Sequence, residues 1–348
     1  LPSSHRRQRQ MCIRDSIFTG DTSWNRFHLD IYEPLGDSLE ERPCIVFAHG
    51  GSFINGDKRE FPIEDYCEAM ARRGFVVLSI NYRLMTQLDF VVTAYHAVQD
   101  MRAAIRWTKA HADPLRIDPN LVFAAGNSAG GIMAVLTGYA DNHEVAQISG
   151  IDTAASGPLD GAGGYSAYSG NPAAIVNTWG AILDTGWMAP GDIPVISFHG
   201  DIDIVIPLGS GFPYGIPLVF PLMHGSQLIM ERANNVGIPN ELHIFPGQGH
   251  EPWKTAPHAS DDFDTIVVKS SNFLYRHFLK PETVAINGLT DVFENQIAVY
   301  YADTTTSSQF CWEVTGGTIV SANADSSQVD IQWGQQGVGQ LSLREVNA

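Results

Sequence analysis

The stretch Leu121-Val122-Phe123-Ala124-Ala125-Gly126-Asn127-Ser128-Ala129-Gly130 decides how the chain is read. Five apolar residues in a row suit a strand buried on both faces. The pattern Gly-x-Ser-x-Gly then marks a sharp turn, followed by an apolar run with the texture of a buried helix. A serine on so tight a strand-to-helix turn needs small neighbours at both glycine positions. The turn lifts its Oγ above the sheet, and the helix N-terminus favours negative charge developing nearby. Ser128 is therefore a candidate nucleophile. The blander reading is an ordinary N-cap serine with glycines packed beside it.

Outward from this turn, strand-like and helix-like patterns alternate over residues 17–280. Residues 27–32 alternate apolar and polar, as an edge strand does. Residues 44–48, 75–80, 173–181, 193–198 and 242–245 read as further strands. Helical spacing covers 64–73, with Gly74 at the C-cap position, and 90–111. Buried strands separated by helices predict an α/β domain with a mostly parallel sheet and helices on both faces.

Two more strand ends carry chemistry. His49-Gly50-Gly51-Ser52 follows the strand at 44–48, and its paired glycines let backbone amides face a cleft. The amides of Gly51 or Ser52, with that of Ala129, are the expected oxyanion donors; a plain tight turn is the alternative. His199-Gly200-Asp201-Ile202-Asp203 follows the strand at 193–198. Asp203 is the better candidate for orienting a histidine, because Asp201 reads as a turn-stabilising Asx residue. His250 lies on the Gly-rich loop Pro246-Gly247-Gln248-Gly249 after the strand at 242–245. The order Ser128, Asp203, His250, spaced by 75 and 47 residues, leaves room for the intervening strands and helices.

The remaining composition sets limits. The chain has 348 residues, 44% of them hydrophobic, enough for a large core. A net charge of −17 disfavours nucleic acid and anionic membrane surfaces as partners. No run approaches the roughly 18 apolar residues of a membrane span. Cys12, Cys44, Cys67 and Cys311 form no Cys-x-x-Cys pair, so no zinc site is expected, and chemistry on a serine nucleophile needs no metal or organic cofactor. Cys44 and Cys67 are read either as a disulfide or as two buried free thiols.

Residues 1–16 carry four Arg and one Asp. The string Arg-Arg-Gln-Arg-Gln-Met-Cys-Ile-Arg-Asp-Ser resembles translated sequencing-adaptor sequence of metagenomic assemblies. It is expected to be an artefactual or disordered extension, with the native N-terminus and any signal peptide missing. Residues 282–348 hold eight acids and a single basic residue, Arg344. Short alternating segments there, with Gly316-Gly317 and Gly337 to Gly339 as hairpin turns, predict a small β-sandwich over 288–348.

Residues 17–280 resemble the α/β-hydrolase superfamily, in its secreted carboxylesterase-like branch. The resemblance rests on His49-Gly50-Gly51-Ser52-Phe53, Asn81-Tyr82-Arg83, Gly126 to Gly131, and His199 to Pro207. It implies Ser128 as nucleophile, His250 as base and Asp203 as orienting acid. Ser52 departs from it, since many relatives carry a third glycine there. The tail is similar to PKD-like β-sandwich modules of secreted bacterial enzymes, on Phe310 to Gly317 and Val329 to Trp333. A secreted or cell-surface serine carboxylesterase follows from this resemblance. Its expected substrates are small-acyl or aromatic esters, of acetyl or feruloyl type or on a polyester, with the tail anchoring the enzyme or touching carbohydrate. The rival readings are a prolyl-oligopeptidase-like peptidase and a non-catalytic binding protein.

Two loops are expected to shape the cleft. Residues 156–171 read as a lid, and the apolar residues 208–225 read as pocket lining or as packing against another surface. Phe53, Trp179, Trp187 and Trp253 are the candidate substrate-binding walls, with core packing as the competing role for each.

Overall fold

The computed structural model describes residues 5–10, 28–36, 39–85, 89–145, 148, 150–161, 164–255, 258–280, 285–302, 309–324 and 326–346. The chain divides into two compact units, 1–275 and 276–348, a few residues before the boundary expected from sequence.

Unit 1 is built on one eight-stranded sheet. Its strands are β1 (His5–Gln10), β2 (His28–Glu33), β3 (Arg42–Ala48), β4 (Val76–Ile80), β5 (Ile117–Asn127), β6 (Ile175–Thr178), β7 (Val195–Gly200) and β8 (Asn240–Phe245). The spatial order is β1-β2-β4-β3-β5-β6-β7-β8. From β4 to β8 the pairings are parallel, whereas β1 and β2 run antiparallel at one edge. The Val, Ile and Phe runs of β3 and β4 are buried on both faces, as helices on each side require.

β1 falls within residues 1–16, expected to be an artefactual or disordered extension, and its six residues are ordered as a strand. His5 to Gln10 pair residue by residue with His28 to Glu33. An edge strand offers open backbone donors and acceptors, which any extended segment can meet whatever its side chains. Residues 11–16 lie outside the described residues.

The helices follow the expected crossovers: α1 (Ile63–Ala71), α2 (Phe90–Ala110), α3 (Ala129–Tyr139), α4 (Ser226–Val236) and α5 (Asp261–Leu274). Asp89 caps α2 by accepting from the Val92 amide. The segment Asn81-Tyr82-Arg83 joins three elements at the end of β4. Asn81 accepts from the Lys58 amide, Tyr82 donates to the carbonyl of His49, and Arg83 pairs with buried Asp100 of α2 at 2.7 Å. The expected strand over 173–181 stops at Thr178, because Trp179 turns to a left-handed φ of 46°.

The loop 156–171, expected as a lid, is tied to α2 through its described residues, and none of these lines the cleft at Ser128. Gln99 of α2 donates to the carbonyls of Ser156 and Pro158, and Lys109 donates to those of Ser169 and Asn171. Four carbonyls of this loop thus find their partners on side chains of α2. Cys44 and Cys67 are separate buried thiols, and burial pushes both well above the usual thiol range.

Unit 2 is all-β. A four-stranded antiparallel sheet contains Ile286–Gly288 (β9), Ile297–Ala302 (β10), Gly317–Ala322 (β12) and Gln328–Trp333 (β13). Gln309–Thr315 (β11) pairs with Gln340–Val346 (β14) as a second sheet. Tyr300, Val329 and Ile331 of the first share one apolar cluster with Phe310 and Trp312 of the second. Neither glycine turn makes the expected hairpin. Gly316 links β11 to β12 and the 337–339 run precedes β14, so each carries the chain from one sheet to the other. Pairing follows the shared core instead of the shortest loop.

The turn between β5 and α3 fixes the centre of unit 1. A Cβ on Gly130 would lie 2.0 Å from the carbonyl oxygen of Ala48, so α3 approaches β3 as only glycine allows. Gly130→Ala is expected to cost on the order of 3 kcal/mol or more by overpacking. Gly209→Ala, where a Cβ would meet nothing within 4 Å, should stay within about 0.5 kcal/mol. Chemical-denaturation midpoints of the two variants would check the contrast.

Candidate active site

Ser128 sits where the sequence places it, between β5 and α3, with φ 55° and ψ −118°. This strained conformation is held from several sides. The Ser128 amide donates to the Thr178 carbonyl at 2.9 Å, and the Thr178 hydroxyl donates to the Gly126 carbonyl at 2.8 Å. Ser128 is only 6% exposed.

His250 reaches Ser128 from the loop after β8. Its Nε2 lies 2.9 Å from Ser128 Oγ, and its Nδ1 lies 2.7 Å from Asp203 Oδ2. A carboxylate can only accept, so Nδ1 carries the proton and neutral His250 presents Nε2 as acceptor to the serine hydroxyl. The three residues form one hydrogen-bonded chain across the ends of β5, β7 and β8.

Asp203 is fixed as firmly. Its other oxygen, Oδ1, accepts from the amides of Val205 and Ile206 at 2.8 and 3.0 Å. Burial pushes the carboxyl up, but hydrogen bonds and charge from His199 and His250 outweigh it and hold the group well below the usual carboxylate range. His199 lies behind it, with Nε2 3.4 Å from Asp203 Oδ2. Its Nε2 also approaches the Ile206 carbonyl at 2.9 Å, and its Nδ1 the Ser226 hydroxyl at 2.8 Å. Asp201, expected to stabilise its own turn, reaches across to accept from the Gly247 amide at 2.6 Å. The acid loop and the histidine loop are thereby tied together.

The His49-Gly50-Gly51-Ser52 turn faces Ser128. Gly51, Ser52 and Phe53 have φ of 106°, 55° and 60°, a run of left-handed residues that turns the chain back on itself. A Cβ on Gly51 would fall 2.1 Å from the Asn55 carbonyl oxygen, so only glycine fits there. Among the described residues no backbone carbonyl takes the Gly51 or Ser52 amide. Ala129 supplies the first amide of α3, which has no acceptor within the helix. Gly51 and Ser52 line a cleft with Ser128 and His250, of about 170 Å³.

The other cleft walls are not the aromatics expected from sequence. They are Phe61, Ile63 and Tyr214, with Glu60 and Glu251 adding two carboxylates. Phe53 is fully buried against Phe90 and Tyr82. Trp253 packs within the core on Phe47, Tyr66 and Phe263. Trp187 packs against the core beside α4 and lines no part of the cleft. Trp179 stands edge-on to His250 at 6.3 Å, but it is fully buried and supports the ring from behind. Large aromatics near a site in sequence are drawn to the core by the apolar area they bury. Asn127, read only as a motif spacer, lines the cleft, and its Oδ1 is buried with no partner among the described residues. The loop 208–225 does reach the cleft, through Tyr214. Among the described residues no cluster of three His, Cys, Asp or Glu side chains could hold a metal ion, and no helix is long and apolar enough to cross a membrane.

Comparison with known proteins agrees with this architecture. A family model described as BD-FAE matches residues 29–184, a little under half of the chain. Esterase LipC of Mycobacterium tuberculosis is 29% identical over 142 residues, which cover 39% of this chain and 32% of LipC. Carboxylesterase 3B of Mus musculus is 32% identical over 111 residues, 30% of this chain and 20% of that protein. The chain thus spans a third or less of the length of these curated relatives. Among solved structures, propionate-bound esterase 2 of Thermogutta terrifontis superposes with a TM-score of 0.59 at 22% identity, covering 79% of this chain and 96% of that one. With its mostly parallel sheet and the Ser128 turn at the end of β5, unit 1 has the α/β-hydrolase fold.

Proposed function

We propose that the protein is a serine carboxylesterase that works through an acyl-enzyme on Ser128. The observation that carries this reading is the hydrogen-bonded chain from Ser128 through His250 to Asp203, opposite the amides of Gly51 and Ser52. The BD-FAE match and the esterase relatives support it.

In this mechanism His250 Nε2 takes the Ser128 proton as Oγ bonds to the ester carbonyl carbon. The carbonyl oxygen becomes an oxyanion held by the amides of Gly51 or Ser52 and of Ala129. His250 then passes its proton to the departing alcohol oxygen as the C–O bond breaks. Water repeats the sequence on the acyl-enzyme and releases the acid. Asp203 holds the ring in the tautomer required and stabilises the imidazolium that forms. Each oxyanion donor is worth about 3–4 kcal/mol of barrier.

The substrate class is a small, uncharged ester of short-acyl or aromatic type. A cleft of 170 Å³ is close in size to a cavity of about 150 Å³ that takes one benzene ring, room for a short acyl or a single ring. Glu60 and Glu251 at its walls disfavour anionic substrates. The loops around it expose Ile54, Ile202, Ile204 and Leu218, which suits an apolar ester. Solved structures of Thermogutta terrifontis esterase 2 hold propionate and butyrate. In the same reading the protein acts outside the cell or at its surface, and unit 2 is a PKD-like sandwich that anchors it or meets carbohydrate, supported by its separate all-β core.

Wild type is expected to hydrolyse p-nitrophenyl acetate and methyl ferulate, and Ser128→Ala to lose turnover on both. Turnover that survives the substitution would refute Ser128 as nucleophile. Asp203→Asn should lower kcat by about 10³–10⁴-fold with little change in KM, through loss of the correct His250 tautomer.

The Asp203 carboxyl also links stability to pH. A carboxyl held lower in the folded than in the unfolded chain stabilises above its unfolded pKa, near 4, and that contribution is lost as pH falls further. The thermal midpoint of wild type should therefore drop more steeply between pH 5 and pH 3 than that of Asp203→Asn. Parallel curves would show that Asp203 contributes nothing to acid lability.

A further inference from the structure

Ser52 and Tyr214 come from loops 162 residues apart, yet their hydroxyl oxygens meet at 2.8 Å. Both residues hold a left-handed φ, 55° and 54°, a region that favours glycine. Both line the same small cleft as Ser128. Two side chains at positions that favour glycine, with their hydroxyls bonded to each other, point to a use for the bond.

The surroundings support this. The Tyr214 amide donates to the Val205 carbonyl at 2.9 Å, so its backbone rests on the loop carrying Asp203. Its ring packs on Phe220 at 5.5 Å, Phe220 on Phe90 at 5.2 Å, and Phe90 on Phe53, the neighbour of Ser52, at 5.3 Å. The apolar loop is thus moored at Phe220 and Tyr214, while Ile216, Leu218 and Val219 stay in solvent. The Ser52–Tyr214 bond is the polar contact that closes this arc over the oxyanion turn.

Building on the ester-hydrolase reading, we propose that Tyr214 is a specificity-determining residue, whose hydrogen bond to Ser52 latches the loop 208–225 onto the oxyanion turn and confines the cleft to short esters. With the latch closed, the phenol ring walls the cleft and the Ser52 amide is held towards Ser128. Opening it enlarges the cleft at the cost of donor placement.

The test uses the full chain with Tyr214→Phe, Ser52→Ala, their double variant and Tyr214→Ala. Hydrogen exchange needs no catalysis: both single hydroxyl deletions should speed exchange of amides in 51–55 and 212–224, with thermal midpoints retained. Unchanged exchange would overturn the latch even in an enzyme inert towards every ester. In kinetics on p-nitrophenyl acetate, each single deletion should lower kcat/KM about 3- to 10-fold, and the double variant should be no worse than either. Additive losses would mean that the two hydroxyls act separately and would also overturn it. Tyr214→Ala should move the preferred acyl chain from acetate or butyrate towards octanoate, and an unshifted profile would remove Tyr214 as the size determinant. Absence of wild-type hydrolysis on every ester would refute the function above while exchange still decides the latch.

Discussion

The close approach of α3 to β3 is the constraint on which the rest of unit 1 depends. Gly130 lies against the Ala48 carbonyl, and Gly126 lies against Gly130. With no room for a wider turn, Ser128, the middle of the three residues between them, is forced to φ 55°, and its side chain can only project from the sheet. A strained residue persists when its surroundings over-determine it. Here the Thr178 carbonyl, the β3 backbone and the buried face of α3 all do so. The strain at Ser128 is therefore a product of packing, distributed over residues that never touch a substrate.

The acid and the histidine depend on a different physics. They sit on loops, where no helix or strand ladder fixes them, and hydrogen bonds between loops do that work. Asp203 is held by two backbone amides, and Asp201 clasps the Gly247 amide across the gap. His199 fills the space behind the carboxylate and is anchored by Ser226, which in turn accepts from Asn177 of β6. A buried carboxylate costs a great deal unless its lone pairs are met, and every group around Asp203 is placed to meet them.

Much of this was legible in the chain. The apolar runs of β3, β4 and β5 gave the parallel sheet because strands buried on both faces leave no other periodicity. Gly-x-Ser-x-Gly located the turn because the glycines answer a steric demand set within a few residues. Ser128, Asp203 and His250 were readable as an order along the chain, and the fold brings those three side chains together. What stayed hidden depends on long-range pairing. Phe53 and Trp253 looked like cleft walls, but only three-dimensional packing tells whether a ring meets a cavity or another ring. The 156–171 loop looked free because its anchors, Gln99 and Lys109, lie about 60 residues earlier. Tyr214 was marked only as part of an apolar loop, since nothing nearby in sequence announces Ser52 as its partner.

The two buried thiols Cys44 and Cys67 have a consequence for the chemistry of the unit 1 core. Cys44 and Cys67 are each fully buried, and burial keeps them as neutral thiols. Since the thiolate is the species that oxidises, alkylates or exchanges, both are chemically silent in the native state. The α/β unit draws no stability from a cross-link between Cys44 and Cys67. In the native fold neither thiol is presented to an oxidant or an alkylating reagent, so the core holds both in reduced form for as long as it stays folded.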